Sequence, residues 1–415
     1  MKIYEIGTGY TPIPATMGAA TEIVVEELTR SLRKNGQDAE IIDIKATRRK
    51  ETELPIREVA VPKKFSGTDV SLGLMHKLKR VVYSISLAYT LKNILKHGDE
   101  KVVLHFHNQY NMFFFLKIVP KKLRDKCFIA YTNHSYIWHG DWKEIESTVK
   151  KRYFQEIECM KRADMVYVLN DRTVSTLTTK LGIEKKKIKL IDNGVNTTVY
   201  CPLTCEEKKS VKENLDGHNK TYFIQVGSVC DRKNQLGALK LLFPFLKEDK
   251  TREFIYAGGI IDEDYQKEIV EFAKREGIEK QVKYLGEIEP GKSLNEYYNS
   301  AVAMIFPSKS EGFSLVIIEA MAAGVPVVIN ENLRFKLADR CLKYSNKEGF
   351  EAVIKTNILN SDKQSELSAQ AREAVLLNYS WDKIAQDYYG TWGKMTTLRK
   401  TVLNDNFREG NTRRK

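Results

Sequence analysis

Cysteine is scarce in this chain: six in 415 residues, at positions 127, 159, 201, 205, 230 and 341, with no Cys-x-x-Cys pair. That excludes a disulfide framework. Cys201 and Cys205 stand close together, but without a second pair or neighbouring histidines they do not make a zinc site. Reduced thiols are expected. Long apolar runs are missing too. Nowhere do about 18 consecutive apolar residues occur, so no helix is expected to span a bilayer. The opening MKIYEIGTGYTPIPAT lacks the apolar core of a signal peptide, so export is not expected and a cytoplasmic location is. Disorder is excluded by what is present: 42% hydrophobic and 10% aromatic residues, enough for more than one core.

Acidic residues are outnumbered. Lysine plus arginine is 67 and aspartate plus glutamate is 54, a formal net charge of +13. The excess is concentrated at Lys63, Lys64, Lys77, Lys79, Arg80, Lys92 and Lys96, again at Lys121, Lys122, Arg124 and Lys126, and at Lys185–Lys189. Such clusters favour an anionic partner, and a membrane surface attracts roughly 1 kcal/mol per basic residue. Nucleic acid is not expected, because no aromatic stacking platform accompanies the basic runs.

Short β-branched runs alternate with longer helical patterns. Strands are expected at residues 1–6, 39–43, 102–106, 127–132, 165–169 and 188–191, with helices such as 22–34 and 148–161 between them. The second half repeats the scheme, with strands at 222–226, 253–257, 282–285, 302–306 and 325–329. Helices there fit 235–245, 264–277, 294–300 and 315–323. This alternation predicts an α/β protein with two doubly wound parallel-sheet domains. The expected domains are 1–197 and 198–380, with a linker from Asn193 to about Lys220. A helix over about 381–400 is expected to pack back on the first domain, and 401–415 to form a basic flexible tail. Leu74, Leu78, Val81, Ile85, Ala88, Leu91 and Leu95 recur at helical spacing as one apolar stripe. Gly98 and Asp99 would end that helix. Met112–Leu116 reads as the start of a core helix.

The densest motif runs from Phe306 through Glu311-Gly312-Phe313-Ser314-Leu315 to Glu319, Gly324 and Pro326. Ser314 suits a helix N-cap. Gly324 suits the position after the helix, and Pro326 blocks its continuation. A short helix after a strand and a glycine turn points free N–H groups and a dipole at an anion such as a diphosphate. Glu311 and Glu319 can each accept hydrogen bonds from vicinal hydroxyls. Glu319 lies on an almost wholly apolar helix, where a buried carboxylate needs a partner.

E-G-F-S-L-V-I-I-E-A-M-A-A-G-V-P-V-V resembles the E-x7-E signature of family 4 retaining glycosyltransferases. The turn Thr11–Gly18, Tyr131-Thr-Asn-His134-Ser, Asp192-Asn-Gly-Val-Asn196, Val226-Gly227-Ser228 with Lys233-Asn234, and Ser380-Trp-Asp382 resemble further elements of that family, in order, from residue 1 to about 392. The resemblance implies the GT-B fold: two Rossmann-like domains facing across a cleft. It implies transfer of a hexose-type sugar from a nucleoside diphosphate sugar to an acceptor hydroxyl, with retention and without a metal. Glycan, glycolipid or cell-surface polysaccharide synthesis would be the setting, with a glycan, lipid-linked or small-molecule acceptor.

By that resemblance Glu311 would hold hydroxyls of the donor sugar, Glu319 the ribose, and Lys233 the leaving diphosphate. His134 would line the sugar side of the reacting centre. Gly18, Gly227, Ser228, Arg232, Gly312, Phe313, Ser314 and Leu315 would complete the donor site, and His107 and Asn108 would lie on the acceptor side, for acceptor or structural contacts. Ser228 stands where the family usually has arginine, with Arg232 as a substitute cation. No glycine pair follows Val328, and Asn196 replaces an aspartate. His105 and His107 alternate with Phe106, so both face one side of a strand. With His134 and His139 they could hold a metal, but none is expected. Two other functions fit the same architecture. A sugar-nucleotide epimerase would convert the donor without any acceptor, and a non-catalytic binding subunit would bind nucleotide without turnover.

Overall fold

A computed structural model describes residues 1–14, 20–47, 49–65, 74–98, 101–214, 220–311, 313–333 and 336–393. They form two compact units, one of residues 1–14, 20–192 and 381–393, the other of 193–380. In the first unit the strands are β1 (Lys2–Ile6), β2 (Ala39–Ile44), β3 (Ile56–Val59), β4 (Val102–Phe106), β5 (Cys127–Thr132), β6 (Met165–Val168) and β7 (Ile188–Leu190). Its helices are α1 (Ala20–Lys34), α2 (Leu74–His97), α3 (Gln109–Ile118), α4 (Lys121–Arg124), α5 (Trp142–Arg152), α6 (Phe154–Arg162) and α7 (Asp171–Thr179). The second unit carries β8 (Thr221–Val226), β9 (Arg252–Ala257), β10 (Val282–Tyr284), β11 (Ala301–Phe306), β12 (Val327–Asn330) and β13 (Leu342–Tyr344). Its helices are α8 (Cys205–Asn214), α9 (Gln235–Glu248), α10 (Glu263–Arg275), α11 (Lys292–Ser300), α12 (Leu315–Ala322), α13 (Lys347–Val353) and α14 (Ser361–Asn378).

Both sheets are parallel. The first has the order β3-β2-β1-β4-β5-β6-β7 and the second β10-β9-β8-β11-β12-β13. Each therefore winds outward in two directions from a central pair, the Rossmann arrangement. Side chains alternate between faces. In the first sheet Tyr4, Leu104, Phe106, Ile129 and Tyr131 share a core with Tyr83, Leu87 and Leu91 of α2. On the other face Ile3, Val103, Ala130 and Tyr167 pack with Trp381, Ile384, Tyr388 and Trp392 of a helix over residues 381–393. Fully burying one such large side chain contributes roughly 1.5–3 kcal/mol, so that last helix is part of the first unit's core.

Several boundaries differ from those read in the sequence. The units divide between Asp192 and Asn193, because Val195 bridges to Ser380 and is buried in the second unit's core. The expected linker contains α8. The helix expected over 148–161 is two helices, broken at Tyr153, whose φ of −118° and ψ of 18° leave the helical region. The face that α2 buries follows the expected stripe at Ala88, Leu91 and Leu95 and departs from it near the start of the helix. Lys79, Tyr83, Leu87, Leu91 and Leu95 are buried, whereas Leu78 is 44% and Tyr89 57% exposed. β3 and β13 were not legible, being a four-residue strand with two charges and a three-residue strand. The tail 401–415 lies outside the described residues. Among the described residues no helix is long and apolar enough to cross a membrane.

Candidate functional site

In the second sheet the winding reverses between β8 and β11. Open α/β sheets bind ligands beyond the carboxyl ends of their strands at such a point. β8 ends at Val226, and Gly227 follows with φ +144°. The loop after it is tied down from within: Gln235 Nε2 donates to the carbonyls of Gly227 (3.3 Å) and Ser228 (3.0 Å), and Gln225 Nε2 to that of Lys233 (2.7 Å). Asn234 closes the loop at φ 59°, a left-handed conformation that asparagine tolerates better than most side chains. Its Nδ2 donates to the Pro307 carbonyl at 3.1 Å, joining the loop to the end of β11.

These ties bring three groups onto one carboxylate oxygen. Glu311 Oε1 lies 2.7 Å from Lys233 Nζ, 3.0 Å from Arg232 Nη1 and 2.6 Å from Ser308 Oγ. The adjacent Arg232 and Lys233 thus point the same way. The Lys233 side chain is 12% exposed and that of Glu311 is 7%, whereas that of Arg232 is 44% exposed. Burial holds the Lys233 pKa below its usual value, with Glu311 opposing the shift. A side chain at Gly227 would stand 3.4 Å from Lys233 Cε, in a backbone conformation other residues rarely adopt, so glycine there leaves room for the lysine. Ser228 contributes its carbonyl to the loop, through the Gln235 bond.

Three residues beyond Glu311, Ser314 stands at the N-cap of α12. Its hydroxyl does not cap the helix as expected: it is buried and has no partner among the described residues. An orphan hydroxyl beside unsatisfied helix N–H groups is a place for an anionic ligand. Phe313 and Leu315 are half-buried against the second unit's core. Glu319, one turn further into α12, accepts from Tyr298 Oη at 3.1 Å and from Tyr200. Tyr200 Oη in turn accepts from Gly291 N–H at 3.0 Å. Burial raises the Glu319 pKa to about 7 against those two tyrosine bonds. Gly18 and Gly312 lie outside the described residues.

The first unit carries a different cluster. Glu5 of β1 is in register with His105 of β4, and His107 is two residues further along the same face. Glu5 and His105 are fully buried and His107 is 4% exposed. Of the acceptor or structural contacts expected of His107, the structure shows structural ones: its Nε2 bonds Glu5 and its Nδ1 bonds His134. Asn108 is engaged too, capping α3 through the Tyr110 amide and donating to Tyr10 Oη at 3.0 Å. His134 is half-buried at the end of β5. Burial lowers the pKa values of His105, His107 and His134 to about 3, so all three rings are neutral near pH 7.

Lys233, Arg232 and Glu311 thus meet, while Glu319 bonds to tyrosines. Sequence reasoning missed Ser308, Tyr200, Tyr298 and Glu5. Only Glu5 left a signal, a lone carboxylate in the otherwise closed run Lys2–Ile6.

Two family models match this chain: "Glycosyltransferase Family 4" over residues 21–199 and "Glycosyl transferases group 1" over 206–335. D-inositol 3-phosphate glycosyltransferase of Salinispora tropica is 22% identical over 274 residues, 62% of this chain and 56% of that protein. O-antigen chain mannosyltransferase RfbU of Salmonella typhimurium is 26% identical over 280 residues, 66% of this chain and 67% of that one. Among solved structures, Anabaena Alr3699/HepE in complex with UDP and glucose has a TM-score of 0.68 at 15% identity, covering 95% of this chain and 99% of its own. The matched segments span both units and include the Glu311–Glu319 motif, and the chain belongs to the family 4 glycosyltransferases, with the GT-B fold.

Proposed function

We propose that this protein transfers a hexose-type sugar from a nucleoside diphosphate sugar to an acceptor hydroxyl with retention, in glycan, glycolipid or cell-surface polysaccharide synthesis. One observation carries the reading: Lys233 and Arg232 converge with Ser308 on Glu311 at the carboxyl ends of β8 and β11. In the resting chain the carboxylate holds the cations. A diphosphate takes over the cations, and Glu311 is then released to accept from sugar hydroxyls. The Ser314 hydroxyl and the α12 amides supply neutral donors to the same phosphates. Glu319 accepts from the ribose hydroxyls when ionised.

The anomeric carbon–phosphate oxygen bond breaks and the bond to the acceptor oxygen forms on the same face. The acceptor proton goes to the departing phosphate. Negative charge grows on that phosphate in the transition state, where Lys233 and Arg232 stabilise it more than in the ground state. These two charges take the part a divalent cation plays elsewhere, so the proposed reaction is metal-independent. A solved neighbour holds UDP and glucose, which supports a nucleotide sugar as donor. The half-exposed Leu78 and Tyr89 on lysine-rich α2 support an acceptor presented at an anionic membrane surface.

The test is a screen of nucleotide sugars with acceptor extracts, scored by released nucleoside diphosphate and by the anomeric configuration of the product. Transfer with retention supports the proposal. Donor converted to its epimer without acceptor, or nucleotide bound without turnover in any mixture, would replace it.

A further inference from the structure

The second unit holds a cavity at the end of its sheet opposite the Glu311 cluster. It measures about 350 Å³ and is walled by α8, the end of α11, the start of β11 and Gln364 of α14. Ligand pockets begin at roughly 300 Å³. Ala301 and Val302 open β11 and line the cavity, whereas Phe306 closes the strand on the side of Glu311. A strand rises about 3.3 Å per residue, which sets the two ends of β11 roughly 17 Å apart. The cavity is therefore no part of the proposed donor site.

Its chemistry is one-sided. Lys208, Lys209 and Lys212 of α8 line it, and among the described residues no carboxylate does. The other polar side chains of its wall are engaged within the protein. Asn299 Oδ1 accepts from the Leu203 amide at 2.9 Å, and its Nδ2 donates to the carbonyls of Cys201 at 3.0 Å and Asn295 at 2.9 Å. Ser300 Oγ donates to the Tyr297 carbonyl at 2.7 Å, and Gln364 Nε2 to that of Val302 at 3.3 Å. The three ammonium groups have no ion pair or hydrogen bond among the described residues.

Lys208 and Lys212 stand one helical turn apart, where like charges repel. Elsewhere this chain gives cations at that spacing a carboxylate: Lys150 has Glu146, Arg162 has Glu158 and Lys383 has Asp387. On α8 Glu207 turns away instead, accepting from the Thr204 amide and hydroxyl, both at 2.8 Å. Lys208 and Lys212 are also half-buried. Burial, and then the charge of Lys208, hold the Lys212 pKa below its usual value. The helix thus gathers three positive charges at a recess, with no carboxylate of the described residues to offset them.

We propose that this cavity binds a small phosphomonoester, such as a sugar phosphate, at a second site separate from the donor site. A phosphate dianion offsets two of the three lysine charges, whereas a carboxylate offsets one. Its oxygens also accept from ammonium groups that arrive from different directions. The cavity is larger than a bare phosphate, which leaves room for the esterified group. A recess, rather than a flat basic face, fits a small molecule better than a membrane. This site does not rest on the sugar-transfer reading.

Titration calorimetry on the full chain with ribose 5-phosphate, inorganic phosphate and ribose tests it. Ribose 5-phosphate should bind wild type and Lys233→Ala alike, inorganic phosphate more weakly, and ribose not at all. Lys208→Met combined with Lys212→Met keeps the apolar stems and removes two charges. Affinity should then fall about tenfold to a hundredfold. The urea midpoint should hold or rise, because the repulsion is relieved. In the unmodified protein, ribose 5-phosphate should slow acetylation of Lys208, Lys209 and Lys212 by acetic anhydride, read by peptide mass spectrometry, and leave that of the exposed Lys150 unchanged. Binding that disappears in Lys233→Ala, or that persists undiminished in the folded methionine pair, overturns the proposal. So does the absence of both saturable binding and lysine protection with either phosphate probe. Sedimentation with phosphatidic acid vesicles that depends on Lys208 and Lys212, without ribose 5-phosphate binding, replaces the small phosphomonoester with a lipid headgroup.

Discussion

At the carboxyl ends of β1 and β4 a buried carboxylate is met by neutral rings; at those of β8 and β11 a nearly buried carboxylate is met by two cations. The strand order around both places is the same. The difference shows how one fold can be used for two jobs. Neutral, fully bonded imidazoles make a rigid support whose charge does not change near neutral pH. An ion cluster with the half-exposed Arg232 can exchange its internal carboxylate for an incoming phosphate. The first region is built to hold its own groups in place, and the second is suited to bind a phosphate.

The largest expected effect breaks the second region. Lys233→Ala should lower transfer about a hundredfold to a thousandfold, measured as kcat/KM for the nucleotide sugar, since it removes the buried cation nearest Glu311. Arg232→Ala should cost only about tenfold, because that side chain is 44% exposed and its charge is screened. Equal losses in the two variants would deny the division between them. Glu311→Ala should lower both turnover and stability, the latter by roughly 3 kcal/mol in urea unfolding, because it leaves Lys233 without its carboxylate.

The two regions should also respond oppositely to pH. Glu319 holds its proton in the folded chain up to about pH 7, against 4.5 for an ordinary glutamate. Its contribution to stability is present below about pH 4.5 and is lost as pH rises through 7, a swing of roughly 3 kcal/mol. Glu319→Gln should therefore gain stability over wild type as pH is raised from 5 to 8, read as a widening difference in Tm. Nucleoside diphosphate should bind wild type more tightly over the same rise, as the carboxylate ionises toward ribose. The histidines have the reverse sign. His134 is held at about 3, below its usual 6.5. The stability it contributes is present above 6.5 and is lost as pH falls toward 3. The Tm gap between wild type and His134→Asn should thus shift against wild type, by an amount comparable to the Glu319 effect, as pH falls from 6.5 to 4.

Much of this was legible in the sequence where periodicity and turn chemistry agree. The central strands β1, β4, β5, β8 and β11 are mostly apolar, as strands buried on both faces tend to be, with Glu5, His105 and Gln225 as buried polar exceptions. Edge strands β3 and β13 are short and carry charges, so the pattern fails there. Glu311 and Lys233 were marked by their motifs, but that Arg232 turns to the same carboxylate depends on the left-handed Asn234 and its bond to Pro307. No local pattern encodes that. The α2 stripe holds at Ala88, Leu91 and Leu95 but fails at Leu78: Lys79 is buried where it donates to the Tyr10 carbonyl at 3.3 Å, so the helix turns apolar Leu78 outward. His107 read as a strand-end histidine on the acceptor side. Its burial depends on Glu5, about a hundred residues earlier, which only the strand register brings beside it.

Titration calorimetry with UDP, GDP, ADP and the corresponding nucleosides, on wild type and Lys233→Ala, bears most directly on the second region. One diphosphate should bind wild type with unit stoichiometry, its nucleoside far more weakly, and Lys233→Ala should lose at least tenfold in diphosphate affinity. Diphosphate affinity unchanged by removal of Lys233, in a folded variant, would contradict a phosphate grip at the ends of β8 and β11.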